Sequence, residues 1–220
     1  MAPTRVSPKK VSTLPERLRP RKSPQQNRAR VLVDAILEAG SRVFVERGYE
    51  NLSMQQVARV AGVSPGSLYQ YFPDKGALVA ALIDTVSQRE VEFHLKMFSE
   101  LTPDTSLELV FETTIRSVLA FQKLEGPLMK RGLEAMPFLG RYPALSERVR
   151  ATSTFLRGLM EPHASRLPGV DLDLATHVLT NAIHSLTHDG ILARPETLDD
   201  ETLTREIMKL VRGYLRLDAR

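Results

Sequence analysis

Residues 62–66 read Gly-Val-Ser-Pro-Gly and match the G-x-S-x-G pattern that surrounds the nucleophilic serine of many hydrolases. In those enzymes a strand precedes the serine, and a sharp turn exposes its hydroxyl. Here residues 53–61 precede it with the apolar spacing of an amphipathic helix. We therefore interpret Ser64 as the N-cap of a helix with Pro65 at its first position, and we expect no catalytic site.

A second group with potential chemistry is a row of polar residues spaced i, i+4, i+7 and i+11, which places them on one face of a predicted helix. Its members are His177, Asn181, His184 and His188. Three interpretations stay open: a polar stripe in solvent or at a subunit interface, a contact to a ligand, or a metal site. A tetrahedral zinc site needs further ligands that the sequence does not assign, and we expect neither a metal nor a cofactor.

The composition limits the class of protein. Of 220 residues, 42% are hydrophobic and 25% are charged, which is typical of a globular chain. No apolar run reaches the roughly 18–20 residues of a membrane span, and the basic N-terminus lacks the apolar stretch of a secretory signal. Cysteine is absent, which excludes disulfides and thiolate metal sites. We expect a cytoplasmic protein without membrane contact.

Positive charge is concentrated in the first third of the chain. Residues 1–75 contain 13 Lys/Arg and 6 Asp/Glu, a net charge of +7, whereas residues 76–220 contain 17 and 20, a net charge of −3. Within residues 1–27, five prolines and seven Lys/Arg accompany a single acid, Glu16, and proline at this density blocks helix and sheet. We predict a disordered basic arm at 1–27 and a polyanionic partner for the first third.

The remaining sequence predicts an all-α fold of about nine helices. Apolar residues recur at three-and-four spacing, and glycine or proline separates the segments. The approximate spans are 28–48, 53–61, 65–72, 75–100, 105–124, 127–136, 143–167, 172–189 and 200–217. Ser53 and Gln56 match a capping box at the start of the second helix, and Asp74 is the expected N-cap of the fourth.

Residues 53–72 predict two short helices joined by a tight turn at Gly62, with basic sequence before them, and these are the ingredients of a helix-turn-helix. The second helix of such a motif brings small or polar residues to base edges in the major groove, while its other face packs on its neighbours. Residues 64–67 supply the small edge, and Leu68 and Phe72 supply the apolar face. We therefore predict binding to double-stranded DNA.

The stretch 52–78, LSMQQVARVAGVSPGSLYQYFPDKGAL, resembles the N-terminal domain of the TetR family of transcriptional regulators. The resemblance implies that Ser53 contacts phosphate. It implies that the major groove is lined by Ser64, Pro65, Gly66 and Ser67, and that the DNA backbone is held by Tyr69, Gln70, Tyr71 and Lys75. Pro65 stands where the family often has Lys or Arg, so specificity would come from thymine methyls, DNA shape or the basic arm.

The resemblance also implies a repressor that releases a palindromic operator when a small apolar effector binds. It divides the chain into a helix-turn-helix domain at 28–74 and an effector-binding and dimerisation domain at 75–220. Large apolar residues and one histidine of the second domain are candidates for the effector pocket, although the same spacing is typical of plain core. They are Phe93, Met97, Phe111, Phe121, Met129, Phe138, Phe155, Ile183 and His184.

A homodimer formed by the last two helices is a further implication of the resemblance. The candidate interface residues are Leu179, Ile183, Leu203, Ile207, Leu210, Val211 and Tyr214. The alternative for this apolar stripe is intrachain core. Two other classes of protein stay open: an all-α enzyme, which paired carboxylates in a closed pocket would indicate, and a DNA-architectural protein, against which a large cavity would count.

Overall fold

A computed structural model of the chain describes residues 27–139, 143–193 and 199–217, and within these ranges it contains helices and no strand. The all-α fold predicted from the sequence is therefore confirmed. The helices are α1 Asn27–Asn51, α2 Met54–Ala61, α3 Pro65–Tyr71, α4 Lys75–Met97, α5 Leu107–Leu139, α6 Pro143–Met160, α7 Leu172–Ala193 and α8 Asp200–Leu215. A short 3₁₀ helix, Glu161–Arg166, follows α6. The predicted basic arm lies outside the described residues, apart from Asn27.

Helix α5 differs from its prediction, because the expected break at Gly126-Pro127 is absent and the helix runs through Pro127 and Pro137. A proline inside a helix removes one backbone hydrogen bond and costs about 3 kcal/mol. Large buried residues flank Pro127 on both sides, with Phe121 before it and Leu128 after it. Their packing offsets the local cost, which is why the described chain has eight α-helices where nine were predicted.

Local capping signals explain how the N-terminal helices begin. The Asp74 carboxylate accepts a hydrogen bond from the backbone N–H of Ala77 at 2.8 Å, as predicted for the N-cap of α4. Ser64 caps α3 in the same way. The predicted capping box at Ser53 is wrong, because the Ser53 hydroxyl donates to Gln55 Oε1 at 2.9 Å and caps no backbone N–H. Gly62 ends α2 with a φ of 67°, a left-handed conformation that glycine adopts without strain.

The buried apolar residues form two cores that share α5. The first core joins α1–α4 to the C-terminal half of α5 and includes Phe44 and Phe72. The second joins the N-terminal half of α5 to α6, α7 and α8 and includes Phe111 and Ile207. The domain boundary at 74/75 stays a prediction, because α4 packs in the same core as α1–α3.

Candidate nucleic-acid interface and internal cavity

Helix α3 is fixed by its apolar face. Leu68 and Phe72 are buried in the first core, which also contains Val57 and Ala58 of α2. The three-residue turn between α2 and α3 leaves the two helices in direct contact. This packing holds the opposite edge of α3 in a defined position, as the predicted helix-turn-helix requires.

The predicted groove-lining residues lie together at the N-terminal edge of α3. Ser64, Pro65 and Gly66 are exposed, and Ser67 is partly exposed. The Ser64 hydroxyl accepts from the Ser67 backbone N–H at 3.1 Å and lies 2.8 Å from the Ser67 hydroxyl. The edge is therefore small, polar and exposed, which leaves room for close approach to a base pair.

The residues expected to hold the DNA backbone fall into two groups. Tyr69 and Gln70 are exposed and Ser53 is partly exposed, so these side chains are available at the surface. Only 7% of Tyr71 is exposed, because its ring belongs to the first core. The phosphate contact of Tyr71 stays a prediction, and the burial of the ring argues against it.

Lys75 has an intrachain role that the sequence did not indicate. Its ammonium donates to the carbonyl oxygens of Tyr49 and Glu50, each at 3.1 Å, and lies 4.7 Å from the centre of the Tyr49 ring. These contacts join the first residue of α4 to the C-terminal end of α1. An ammonium has three protons, so a phosphate contact is compatible with this geometry and stays a prediction.

Two side chains of α5 hold the same end of α1. The Arg131 guanidinium donates to the carbonyl oxygen of Val45 at 3.0 Å. The Phe138 ring stacks on the Tyr49 ring, with centres 4.9 Å apart and planes 16° apart. Phe138 was a candidate for the effector pocket, but it lies half-exposed at this contact between α1 and α5. No local pattern signals these contacts, since the partners are 86 and 89 residues apart in the sequence.

A cavity of about 160 Å³ lies between α4, α5, α6 and α7. Its lining is Glu90, Val91, His94, Leu95, Phe98, Thr114, Val118, Thr152, Phe155, Leu156, Thr180, Ile183 and His184. Three of the nine candidate pocket residues are among them, namely Phe155, Ile183 and His184. Val91 and Leu95 are exposed, so the cavity opens to solvent beside them.

The other candidate pocket residues lie elsewhere. Phe111 is fully buried in the second core, and Phe121 and Met129 are buried in the first. Phe93 packs against the first core, and Met97 is exposed at the end of α4. Apolar residues at helical spacing serve core and cavity alike, so the periodicity could not separate these positions.

An aromatic stack forms one wall of the cavity and joins α4 to α6. The His94 and Phe98 rings are 5.8 Å apart and nearly parallel, and the Phe98 and Phe155 rings are 4.9 Å apart with planes at 17°. Stacked aromatic rings add specific packing to the burial of apolar surface. The wall therefore fixes the C-terminal end of α4 against the bundle.

The polar groups of the cavity are few. Burial lowers the pKa of His94 to about 4, so its imidazole is neutral at physiological pH. Because this imidazole is neutral, it forms no ion pair with Glu90. The distance of 3.7 Å between His94 Nε2 and Glu90 Oε1 is also too long for a hydrogen bond. Among the described residues, His94 Nδ1 and the Thr180 hydroxyl have no hydrogen-bond partner. No lysine or arginine is found in the described lining.

The predicted polar stripe of α7 does not share one environment. His177 and Asn181 are exposed, and the Asn181 amide donates to the His177 carbonyl oxygen at 2.8 Å. His184 is partly buried and lines the cavity, whereas the side chain of His188 lies outside the described residues. Within the part of the chain that the structure describes, no three metal-ligating side chains are grouped to hold an ion.

The candidate dimer residues divide by burial. Five are buried within the subunit, as members of the second core: Leu179, Ile183, Leu203, Ile207 and Val211. Leu210 and Tyr214 are exposed by 56% and 41%. Helix α7, which contacts α8, adds exposed apolar residues that the sequence analysis did not select: Leu174, Val178 and Leu186.

Comparisons with known proteins identify the chain in two segments. Residues 36–82 match the family model of bacterial regulatory proteins of the tetR family, and residues 106–215 match that of the tetracyclin repressor-like C-terminal domain. The second match alone spans half of the 220 residues. No helix in the described ranges is long and apolar enough to cross a membrane.

Curated relatives share part of the chain. An uncharacterized HTH-type transcriptional regulator of Mycobacterium tuberculosis is 32% identical over 92 residues, 41% of this chain and 46% of the relative. An HTH-type transcriptional regulator of Staphylococcus aureus is 29% identical over 116 residues, 52% of this chain and 57% of the relative. The chain thus spans about half the length of the curated relatives it matches.

Solved structures share the fold at low identity. A TetR-like transcriptional regulator from Rhodococcus superposes with a TM-score of 0.61 at 21% identity, covering 87% of this chain and 98% of that one. SmeT, the repressor of the Stenotrophomonas maltophilia multidrug efflux pump SmeDEF, gives a TM-score of 0.62 at 17% identity, covering 86% and 90%. The chain belongs to the TetR family of bacterial transcriptional regulators, with a helix-turn-helix DNA-binding domain, and is not an enzyme.

Proposed function

We propose that this regulator is a homodimeric repressor that binds a palindromic operator and releases it when a small, largely apolar molecule fills the cavity. The observation that carries the proposal is the position of the cavity. Helix α4 contributes Glu90, His94 and the adjoining Phe98 to its wall, and the same helix begins at Lys75, which is bonded to α1. A molecule in the cavity therefore acts on a helix that also supports the DNA-binding domain.

The DNA-binding part of the proposal is supported by shape and charge. The small exposed edge of α3 can enter the major groove, and the +7 charge of residues 1–75 favours a polyanion. SmeT, with the same fold, is a repressor, which supports the same role here.

The dimer is supported by the exposed apolar face of α7 and α8, which consists of Leu174, Val178, Leu186, Leu210 and Tyr214. Exposed apolar side chains on two neighbouring helices favour association with a second surface of the same kind. A two-fold dimer would present two α3 helices about 34–36 Å apart, one turn of DNA, so the operator would be a palindrome.

Release needs only a difference in affinity. The dimer can hold its two DNA-binding domains in an arrangement that fits the operator or in one that does not. An effector that binds more tightly to the second arrangement shifts the population toward it, and the operator is released. The contacts of Lys75, Arg131 and Phe138 with α1 support this coupling, because they join α4 and α5 to the DNA-binding domain.

Selection from random DNA duplexes at two salt concentrations tests the DNA-binding part. We expect an enriched palindrome whose affinity falls steeply with salt. Enrichment of no sequence, with uniform salt-sensitive binding, would favour an architectural protein instead.

A pair of matched variants then tests the interface. Gly66→Asp places a carboxylate at the edge of α3, where an added Cβ would meet nothing closer than the Ser64 hydroxyl at 3.8 Å. Repulsion from DNA phosphates should weaken operator binding on the order of a hundredfold. Gly158→Asp is the control, because this exposed glycine of α6 also has open space around it. Equal loss in both variants would contradict the proposed interface.

A further inference from the structure

We infer that the effector is an uncharged molecule with an apolar body and one hydrogen-bonding end, and that this end contacts the Thr180 hydroxyl and the His94 imidazole. The inference rests on the proposed function, because it assigns a ligand class to the cavity proposed as the effector site.

The apolar body follows from the lining and the volume. Most of the wall consists of aliphatic side chains such as Val118, Leu156 and Ile183, together with the Phe98 and Phe155 rings. The volume, about 160 Å³, is close to that of an engineered cavity of roughly 150 Å³ that stays dry and binds benzene. A single ring or a short alkyl chain is therefore the size of ligand that fits.

The hydrogen-bonding end follows from Thr180. Only 1% of this residue is exposed, and it lines the cavity. The two other threonines of α7 each donate a hydrogen bond to a carbonyl oxygen of their own helix. The Thr176 hydroxyl lies 2.6 Å from the Leu172 carbonyl oxygen, and the Thr187 hydroxyl lies 2.7 Å from that of Ile183. The Thr180 hydroxyl has no such partner in the described part of the chain. A buried hydroxyl without a partner is unfavourable, so a ligand atom that bonds to it adds affinity.

The second polar group is His94 Nδ1, which also lines the cavity without a described partner. Because burial keeps this imidazole neutral at physiological pH, the ring can donate or accept one hydrogen bond but supplies no positive charge. Neither group therefore compensates a charge on the ligand.

The uncharged character follows from the rest of the wall. Lysine and arginine are missing from the described lining, so a ligand carboxylate would lose its hydration without gaining a counter-charge. Glu90 is the one carboxylate of the described lining; it is buried and already interacts within the chain, so a ligand ammonium would have to compete for it. A hydroxyl or a carbonyl carries no such penalty and matches both unpartnered groups.

Four probes with the same eight-carbon body test the ligand class: 1-octanol, 2-octanone, octanoate and octylammonium. Calorimetric titration of the full chain at pH 7.5 should show binding of the alcohol and the ketone. Octanoate and octylammonium should bind about tenfold more weakly or worse. Tighter binding of either charged probe, or binding of none of the four up to their solubility limits, would overturn the inference. Tighter binding of octylammonium would indicate instead a positively charged ligand that pairs with Glu90.

Two threonine-to-valine variants test the contact. Thr180→Val and Thr204→Val each remove a buried hydroxyl without a described partner, but only Thr180 lines the cavity. Both variants should keep or raise the Tm, since an unsatisfied polar group is lost. Thr180→Val alone should weaken 1-octanol binding about three- to tenfold. Equal affinity in Thr180→Val and the parent would overturn the assigned contact, as would a lowered Tm with the same loss for every probe.

The same titrations repeated with operator DNA separate this inference from the proposed function. If the neutral probes bind in a Thr180-dependent manner and the operator stays bound, the inferred ligand class is supported. The proposed release of the operator through this cavity is then refuted. If a charged compound binds the cavity and releases the operator, the proposed function stands and the inference fails.

Discussion

His94 is a largely buried histidine, and its titration makes the stability of the fold depend on acid pH. Its pKa is about 4 in the folded chain and about 6.5 when exposed, because burial disfavours the charged imidazole. The neutral form is therefore favoured by folding. This contribution is complete above pH 6.5 and is lost as the pH falls from 6.5 toward 4.

We expect the free energy of unfolding to fall by about 2–3 kcal/mol between pH 7.5 and pH 4.5 through His94 alone. Urea unfolding at both pH values, compared between the parent and His94→Gln, isolates this part from other titrating groups. His177→Gln serves as the control, since His177 is exposed on α7. Identical pH dependence in the parent and His94→Gln would refute the assignment.

Single residues also show where sequence reasoning ends. The caps at Ser64 and Asp74 were predictable, because their partners lie three residues away. The bonds of Lys75 to Tyr49 and Glu50 were not, because they span 26 and 25 residues and depend on how α4 meets α1. The sequence likewise did not indicate that the ring of Tyr71, which the resemblance assigns to the DNA backbone, is buried, because that burial also depends on tertiary packing.

At the scale of elements, α5 shows a local signal overruled by packing. Gly126-Pro127 has the composition of a helix end, yet the helix continues, and the residues on either side are buried in the shared core. Proline is exposed at position 127, so its ring contributes little to that core. The energetic cost of this proline can be predicted from the sequence, whereas the tertiary contacts that offset it can be seen only in the fold.

Replacing Pro127 with alanine should therefore stabilise the protein. The change restores a backbone N–H inside α5 and removes the clash of the ring with the preceding turn, for an expected gain of about 2 kcal/mol. Pro65→Ala is the matched control, because the first position of a helix needs no N–H partner and should change by less than about 1 kcal/mol. Denaturant unfolding measures both. A gain at Pro65 as large as that at Pro127 would contradict the argument.

At the scale of the whole molecule, the apolar periodicity of α8 produces two different surfaces, one buried and one exposed. One face of α8 is buried in the second core with Ile207 and Val211, while a neighbouring face exposes Leu210 and Tyr214. A stripe read from sequence shows that both faces are apolar, but only the docking of α8 shows which one remains uncovered. The family match was predictable from residues 52–78, since the motif there is local, whereas the cavity is formed by four helices that meet only in the fold.

The uncovered face of α7 and α8 leads to the last prediction, which concerns Leu210→Glu. Leu210 is exposed in the subunit, so a glutamate there is solvated and the monomer should keep its helical circular dichroism. Across a two-fold axis the same carboxylate would be buried twice without a partner, at several kcal/mol each. Light scattering should show a monomer, and operator affinity should fall because one DNA-binding domain loses the effective concentration supplied by the second. Leu124→Glu, at a leucine of α5 that is 67% exposed, should stay dimeric. A folded dimer of Leu210→Glu would place the interface on another surface.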